Sequence, residues 1–239
     1  MIRSTVLLIF IELFILLVQA NAAISLAVHK IAKDLTGAES TALAAPGYSS
    51  TAGNLIAVWV VTYSGAEPVG IVTDSAGDIF KPAALRNGTW SGQWFYAVNV
   101  KGDPFNVVTI HPRTTGRSTF KYPGMVVLEY SGVDKAATPV VDSAGSQGSL
   151  NGSWTSTVFN ASAGELFLIG IVTANGGNYT VGPGFQMQES YFTPASNKFS
   201  FAAFDRVFGS AASDVTASVS WTGTLQTTGA LISFKPAVP

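Results

Sequence analysis

STAGNLIAVWVVTYSG, Ser50 to Gly65, is met again as ASAGELFLIGIVTANG, Ala161 to Gly176. Each stretch opens on small turn residues ending in Ala-Gly, runs through a long apolar segment and closes on Gly. The apolar segments are rich in Val, Ile and aromatic residues, which is strand chemistry. A strand with one wet face alternates apolar and polar residues. NLIAVWVV and ELFLIGIV do not alternate, so both of their faces must be covered. The two segments are therefore expected at the centre of a broad structure, with layers on either side.

The chain around them reads the same way. ISLAVHKIA alternates Ile24, Leu26 and Val28 with Ser25, Ala27 and His29, a period of two. Short apolar runs follow, punctuated by Gly, Pro, Asn and Asp. Further echoes keep their order: QWFYAVNV with FSFAAFDRV, NVVTIHP with DVTASVSW, and GMVVLEY from Gly124 with GALISFK from Gly229. The expected fold is all-β, a two-sheet β-sandwich of jelly-roll or Ig-like type built from an internal duplication. Residues 23–134 form the first half and 135–239 the second, joined by the polar SGVDKAATP. The halves either share one core or stand as tandem domains. The two-faced central strands favour a shared core.

Charged residues are 11% of the chain and the net charge is −1, against ~25% charged residues in an average globular protein. No basic face is available to neutralise phosphates, which excludes nucleic acid as a partner and charge-driven binding to an anionic membrane. There is no cysteine, hence no disulfide and no thiolate metal site.

The N-terminus carries Arg3, an apolar run from Val6 to Val18, and Ala20-Asn21-Ala22. This is the layout of a secretory signal peptide covering residues 1–22, with export as the consequence. The competing reading keeps the segment as a membrane anchor. Glu12 argues against it, since a carboxylate at mid-bilayer costs about 2.5–3.5 kcal/mol on insertion scales.

TAGNLIAVWV, VTDSAGDIF, FYAVNVKGDPFNVVTI and VLEYSGVDKAATPVVDSAG together resemble a family of secreted bacterial β-sandwich proteins with AGNLIVV, VTDSAGNTY, YAKN and EYSGVD patterns. The likeness runs from about Ala23 to Phe234. Asp78 stands where that family has Asn, and Val98 where it has Lys. The resemblance implies an exported sandwich, often beside adhesive modules, and implies no activity.

Candidate chemistry is sparse. Asp74 and Asp78 flank the Gly77 turn and offer carboxylates to Ca²⁺, though Asp-Ser-Ala-Gly is also ordinary hairpin chemistry. No other cofactor is expected. His29 and His111 have no motif neighbours and read as strand or surface residues. Glu129 and Asp205 lie in apolar strands, where a charge must be paired; Arg206 is the expected partner in a structural ion pair. Trp90, Trp154 and Trp221 lie among turn residues or at a strand end, and exposed rings there would stack on sugars. Sequons occur at Asn87, Asn151, Asn160 and Asn178.

No nucleophile elbow, zinc-protease or P-loop motif is present, so the chain is not read as an enzyme. A secreted hydrolase using Glu129 or Asp205 is the weakest reading. The favoured one is a non-catalytic extracellular binding or adhesion module, at the cell surface or in the periplasm, with a glycan or protein partner. The alternative is a structural or assembly subunit of a surface filament or membrane complex, as a homo-oligomer or held through the N-terminal segment. Intact-mass measurement on protein from its native cells distinguishes them. A first residue of Ala23 is expected; a mass that includes residues 1–22 would favour the anchored subunit.

Overall fold

A computed structural model describes residues 23–63, 70–86, 89–112, 119–174, 178–192 and 199–238. Among them every regular element is a strand. The first ten are β1 (Ser25–Lys33), β2 (Leu43–Ala44), β3 (Tyr48–Ser50), β4 (Leu55–Tyr63), β5 (Ile71–Thr73), β6 (Lys81–Arg86), β7 (Trp90–Ala97), β8 (Asp103–Asn106), β9 (Thr109–His111) and β10 (Lys121–Ser131). The other eight are β11 (Asp142–Thr155), β12 (Phe159–Ala161), β13 (Leu166–Ala174), β14 (Thr180–Val181), β15 (Gln186–Tyr191), β16 (Phe199–Val207), β17 (Ala212–Val215) and β18 (Ser218–Phe234). The N-terminal segment, residues 1–22, lies outside the described residues.

Two antiparallel sheets carry the architecture. The first is ordered β1-β10-β4-β7-β6 and the second β11-β18-β13-β16-β15, with β14 also on β18. β4 and β13 are both central. In β4, Leu55, Ala57, Trp59 and Val61 face the second sheet, whereas Ile56, Val58 and Val60 face outward under the small sheets β2-β9-β5 and β3-β8. In β13, Leu166, Leu168 and Val172 face inward, and Phe167, Ile169 and Ile171 pack under β14 and the pair β12-β17. The period-two geometry of a strand splits each apolar run between two cores. That is why neither run contains a polar position. Full burial of each Val, Leu, Ile or Phe among these side chains contributes about 1.5–3 kcal/mol.

The sheets meet in one core that draws on both. Trp59 Nε1 donates to the Ile171 carbonyl (3.2 Å) and Trp94 Nε1 to the Ala230 carbonyl (3.3 Å). Thr228 Oγ1 donates to the Trp90 carbonyl at 2.7 Å. A Cβ added to Gly92 or Gly170 would overlap the Trp59 ring, so the indole lies between two glycines.

Two details differ from the sequence reading. The register sets Gly124 opposite Val61 in the first sheet and Thr228, not Gly229, opposite Val172 in the second. YTVGPGFQMQESY is not one strand. It is cut into β14 and β15 by Gly182-Pro183-Gly184, with Gly184 at φ +79°.

Among the described residues, all four edge strands of the two large sheets are irregular. Register shifts interrupt β1 at Leu26/Val28, β6 at Pro82/Leu85, β11 at Ala144/Gln147 and Asn151/Ser153, and β15 at Met187/Glu189. Pro82 also removes a donor from β6. Bulges and edge proline block the addition of a further strand.

Candidate functional site

The three tryptophans expected to face solvent are buried: Trp90, Trp154 and Trp221 are 6%, 0% and 8% exposed. Each lies within a strand rather than a turn. Trp154 follows Gly152 (φ +76°) at the Asn151/Ser153 bulge, which lets β11 run straight through a stretch of turn-type residues. Trp221 sits inside the long β18 and packs edge-on against Tyr179. Trp90 opens β7 and stacks on Phe199 across the sheets, with centroids 4.5 Å apart. None of the three rings offers a sugar-stacking face.

Trp90 instead supports residues the sequence reading did not single out. Tyr63, 44% exposed, meets it edge-on with centroids 5.0 Å apart. Tyr122 lies 6.1 Å from Tyr63 and takes the left-handed backbone conformation, φ +49°. That conformation is costly for a bulky residue and recurs at functional sites. Its ring occupies the space over Gly37, where a Cβ would overlap the hydroxyl. Tyr191 continues the group against Phe199 and Phe201, with the Lys33 ammonium 4.4 Å above its ring. The result is a tyrosine rim on a buried aromatic floor, at the end of the sandwich where β4 finishes. Two signals existed in the sequence: Tyr63 closes the strand that carries the two-faced apolar run Leu55–Val61, and Tyr122 precedes Pro123.

The carboxylates are committed to the fold, but not as the expected ion pair. On β10, Glu129 faces the outside of the first sheet; on β16, Arg206 faces the outside of the second. Two whole sheets separate them. Asp205 points inward, opposite to its neighbour Arg206, because consecutive strand residues face opposite ways. Glu129 Oε1 accepts the Thr51 N–H (2.8 Å) and the Asn54 amide (2.6 Å), while Oε2 is buried without a partner among the described residues. Asp205 accepts the Tyr130 hydroxyl (2.7 Å) and the Gln188 amide (2.6 Å). Burial holds its carboxyl above the usual range, the two hydrogen bonds opposing. Arg206 donates to the Pro183 carbonyl at 3.2 Å and lies 3.9 Å above the Phe208 ring. In the second sheet, Glu165 accepts the Ser162 N–H and the Ser233 hydroxyl.

Asp74 and Asp78 behave as turn residues. Asp74 Oδ1 accepts the Asp78 N–H at 2.8 Å and Gly77 takes φ +72°. Asp78 Oδ1 accepts the Lys101 N–H, and Lys101 Nζ sits 2.5 Å from the Gly77 carbonyl. Burial, and then the neighbouring Asp74, raise the Asp78 carboxyl, against the Lys101 N–H bond. Among the described residues no group of three or more His, Asp or Glu is placed to hold a metal ion.

His29 lies on the edge strand β1, its Nδ1 2.6 Å from Glu189 Oε1 on β15. His111 Nε2 lies 3.1 Å from Thr73 Oγ1. Asn151, Asn160 and Asn178 are exposed; Asn87 lies outside the described residues.

Two outcomes follow from these links. Glu129→Leu strands the Thr51 and Asn54 donors and should cost about 2–4 kcal/mol, read as a lower urea midpoint. Asp205 has a folded pKa above its unfolded one, so its contribution is greatest in acid and is lost as pH rises through the folded value. Asp205→Asn removes that loss. The thermal midpoint of the variant relative to the parent should rise between pH 4 and pH 7. No protein-family model, curated protein or solved structure matches the chain.

Proposed function

We propose that this chain is a non-catalytic extracellular binding module of the adhesion kind, and that the tyrosine rim of Tyr63, Tyr122 and Tyr191 is its contact surface. The carrying observation is Tyr63, a large aromatic left 44% exposed although Trp90 fixes it from below. A rigid ring held at the surface suits the apolar face of a sugar, or an apolar side chain, at low entropic cost. Export rests on the layout of residues 1–22. The likeness to secreted sandwich proteins agrees with it.

The same reading takes the body as two related halves forming one jelly-roll or Ig-like sandwich. β1, β10, β4, β7 and β6 correspond in place and order to β11, β18, β13, β16 and β15. Tyr130–Asp205 and Phe234–Tyr96 are then the same contact made twice across the seam. Assembly through the edges of the two large sheets is disfavoured, because all four of those edges carry bulges.

The test is retention on a panel of immobilised glycans, comparing the parent with Tyr63→Ala and with Thr222→Ala, an exposed substitution on β18. Tyr63→Ala should bind about five- to tenfold more weakly, with its thermal midpoint within a few degrees of the parent. Equal binding by Tyr63→Ala, or no binding by the parent across the panel, would remove the rim as a glycan site.

A further inference from the structure

We infer that the inner face of each sheet fits only the other half of this chain and rejects a copy of itself. The inference rests on the two-halves reading just given. In the two registers, Leu55 pairs with Tyr130 and Leu166 with Phe234, which places Trp59 and Gly170 at equivalent positions on facing central strands. They meet: a Cβ on Gly170 would overlap the Trp59 ring. The strands beside them invert size in the same way. Trp94 pairs with Trp59, and Ala203 with Gly170. Gly92 pairs with Val61, and Phe201 with Val172.

At these places the first half is large, large and small; the second is small, small and large. Two first halves face to face would bring Trp59 against Trp59 in space now filled by one indole. Two second halves would set Gly170 against Gly170 and leave a void. Overpacking and cavities both destabilise a close-packed interior. At the Trp59 and Trp94 positions the hydrogen bonds are also unsymmetrical, although Thr228 of the second sheet donates back to the Trp90 carbonyl elsewhere on the seam. Trp59 and Trp94 donate from the first sheet to carbonyls of the second, and Gly170 and Ala203 have no side-chain donor to return. The seam therefore behaves as a matched pair of unlike surfaces, so association with a second copy must use surfaces outside it.

A double-mutant cycle in the intact chain reads the lock directly, with Gly170→Ala, Trp59→Leu and both together followed by thermal midpoint. Gly170→Ala alone should lower the midpoint by about 5–10 °C. Added to Trp59→Leu it should cost nothing or raise it, because alanine is the better strand residue once the ring is gone. Equal drops in both backgrounds overturn the proposal. If Gly170→Ala alone yields no folded protein, recovery of folded protein in the double variant supports the lock, and failure to recover overturns it.

The partner claim is read on protein carrying a protease site between the exposed Lys135 and Ala136, cleaved, unfolded and refolded. Native mass spectrometry should show only the one-to-one pair of unlike halves. Either homodimer, or failure of the halves to reunite, counts against it. Sugar binding by the rim is a separate readout, so the lock and the binding function fail independently.

Discussion

The indole of Trp59 lies over Gly170 of the facing sheet with its N–H on the Ile171 carbonyl. Much of the molecule is arranged around that contact. The ring needs Gly92 beside it in its own sheet and a neighbour, Trp94, tilted at 46° with centroids 5.4 Å apart. With the inner faces fastened this closely, the outer faces of β4 and β13 remain as apolar as the inner ones. Each must then be roofed. The small sheets β2-β9-β5 and β3-β8 on one side, and β12-β17 with β14 on the other, exist to do so. The four-layer depth of the body is a consequence of central strands that have no hydrophilic side.

Polar groups inside this framework act as fasteners. Glu129 and Glu165 each collect a backbone N–H from a turn and a side-chain donor. The carboxylate comes from the outer neighbour strand in one sheet and from the turn itself in the other. Asp205 has a comparable role between the sheets, tied to Tyr130. Such groups are costly to bury singly and tolerable when hydrogen-bonded, which is how a chain with so few charges keeps several of them inside.

The central strands were legible in the sequence because their message is local: an apolar run without alternation requires two covers. The shared core followed from the same fact. The tryptophans were not legible. Asn151-Gly152-Ser153 is turn chemistry by composition, and only the pairing of β11 with β18 turns it into a bulged strand that carries Trp154 inward. The supposed Glu129–Arg206 pair was misread for a different reason. Both residues lie in buried strands, but strand parity sends them to opposite outer faces, and parity between two sheets is a property of their packing. Tyr63 was hidden by being the last residue of a core strand. Its exposure depends on where β4 ends relative to β7 and β10.

Strand β10 runs the height of the first sheet, from Lys121 opposite Tyr63 to Ser131 opposite Ser25. At the latter end the chain enters the body at Ser25, and it leaves beside Gly132, where the Ala237 N–H bonds the Gly132 carbonyl. Entry and exit thus share one pole, and the tyrosines crown the other, about 30 Å away at ~3.3 Å per residue. Any tether joined at the entry pole would hold the body like a bulb on a stalk, with the aromatic crown at the tip, pointing away from whatever the stalk is rooted in.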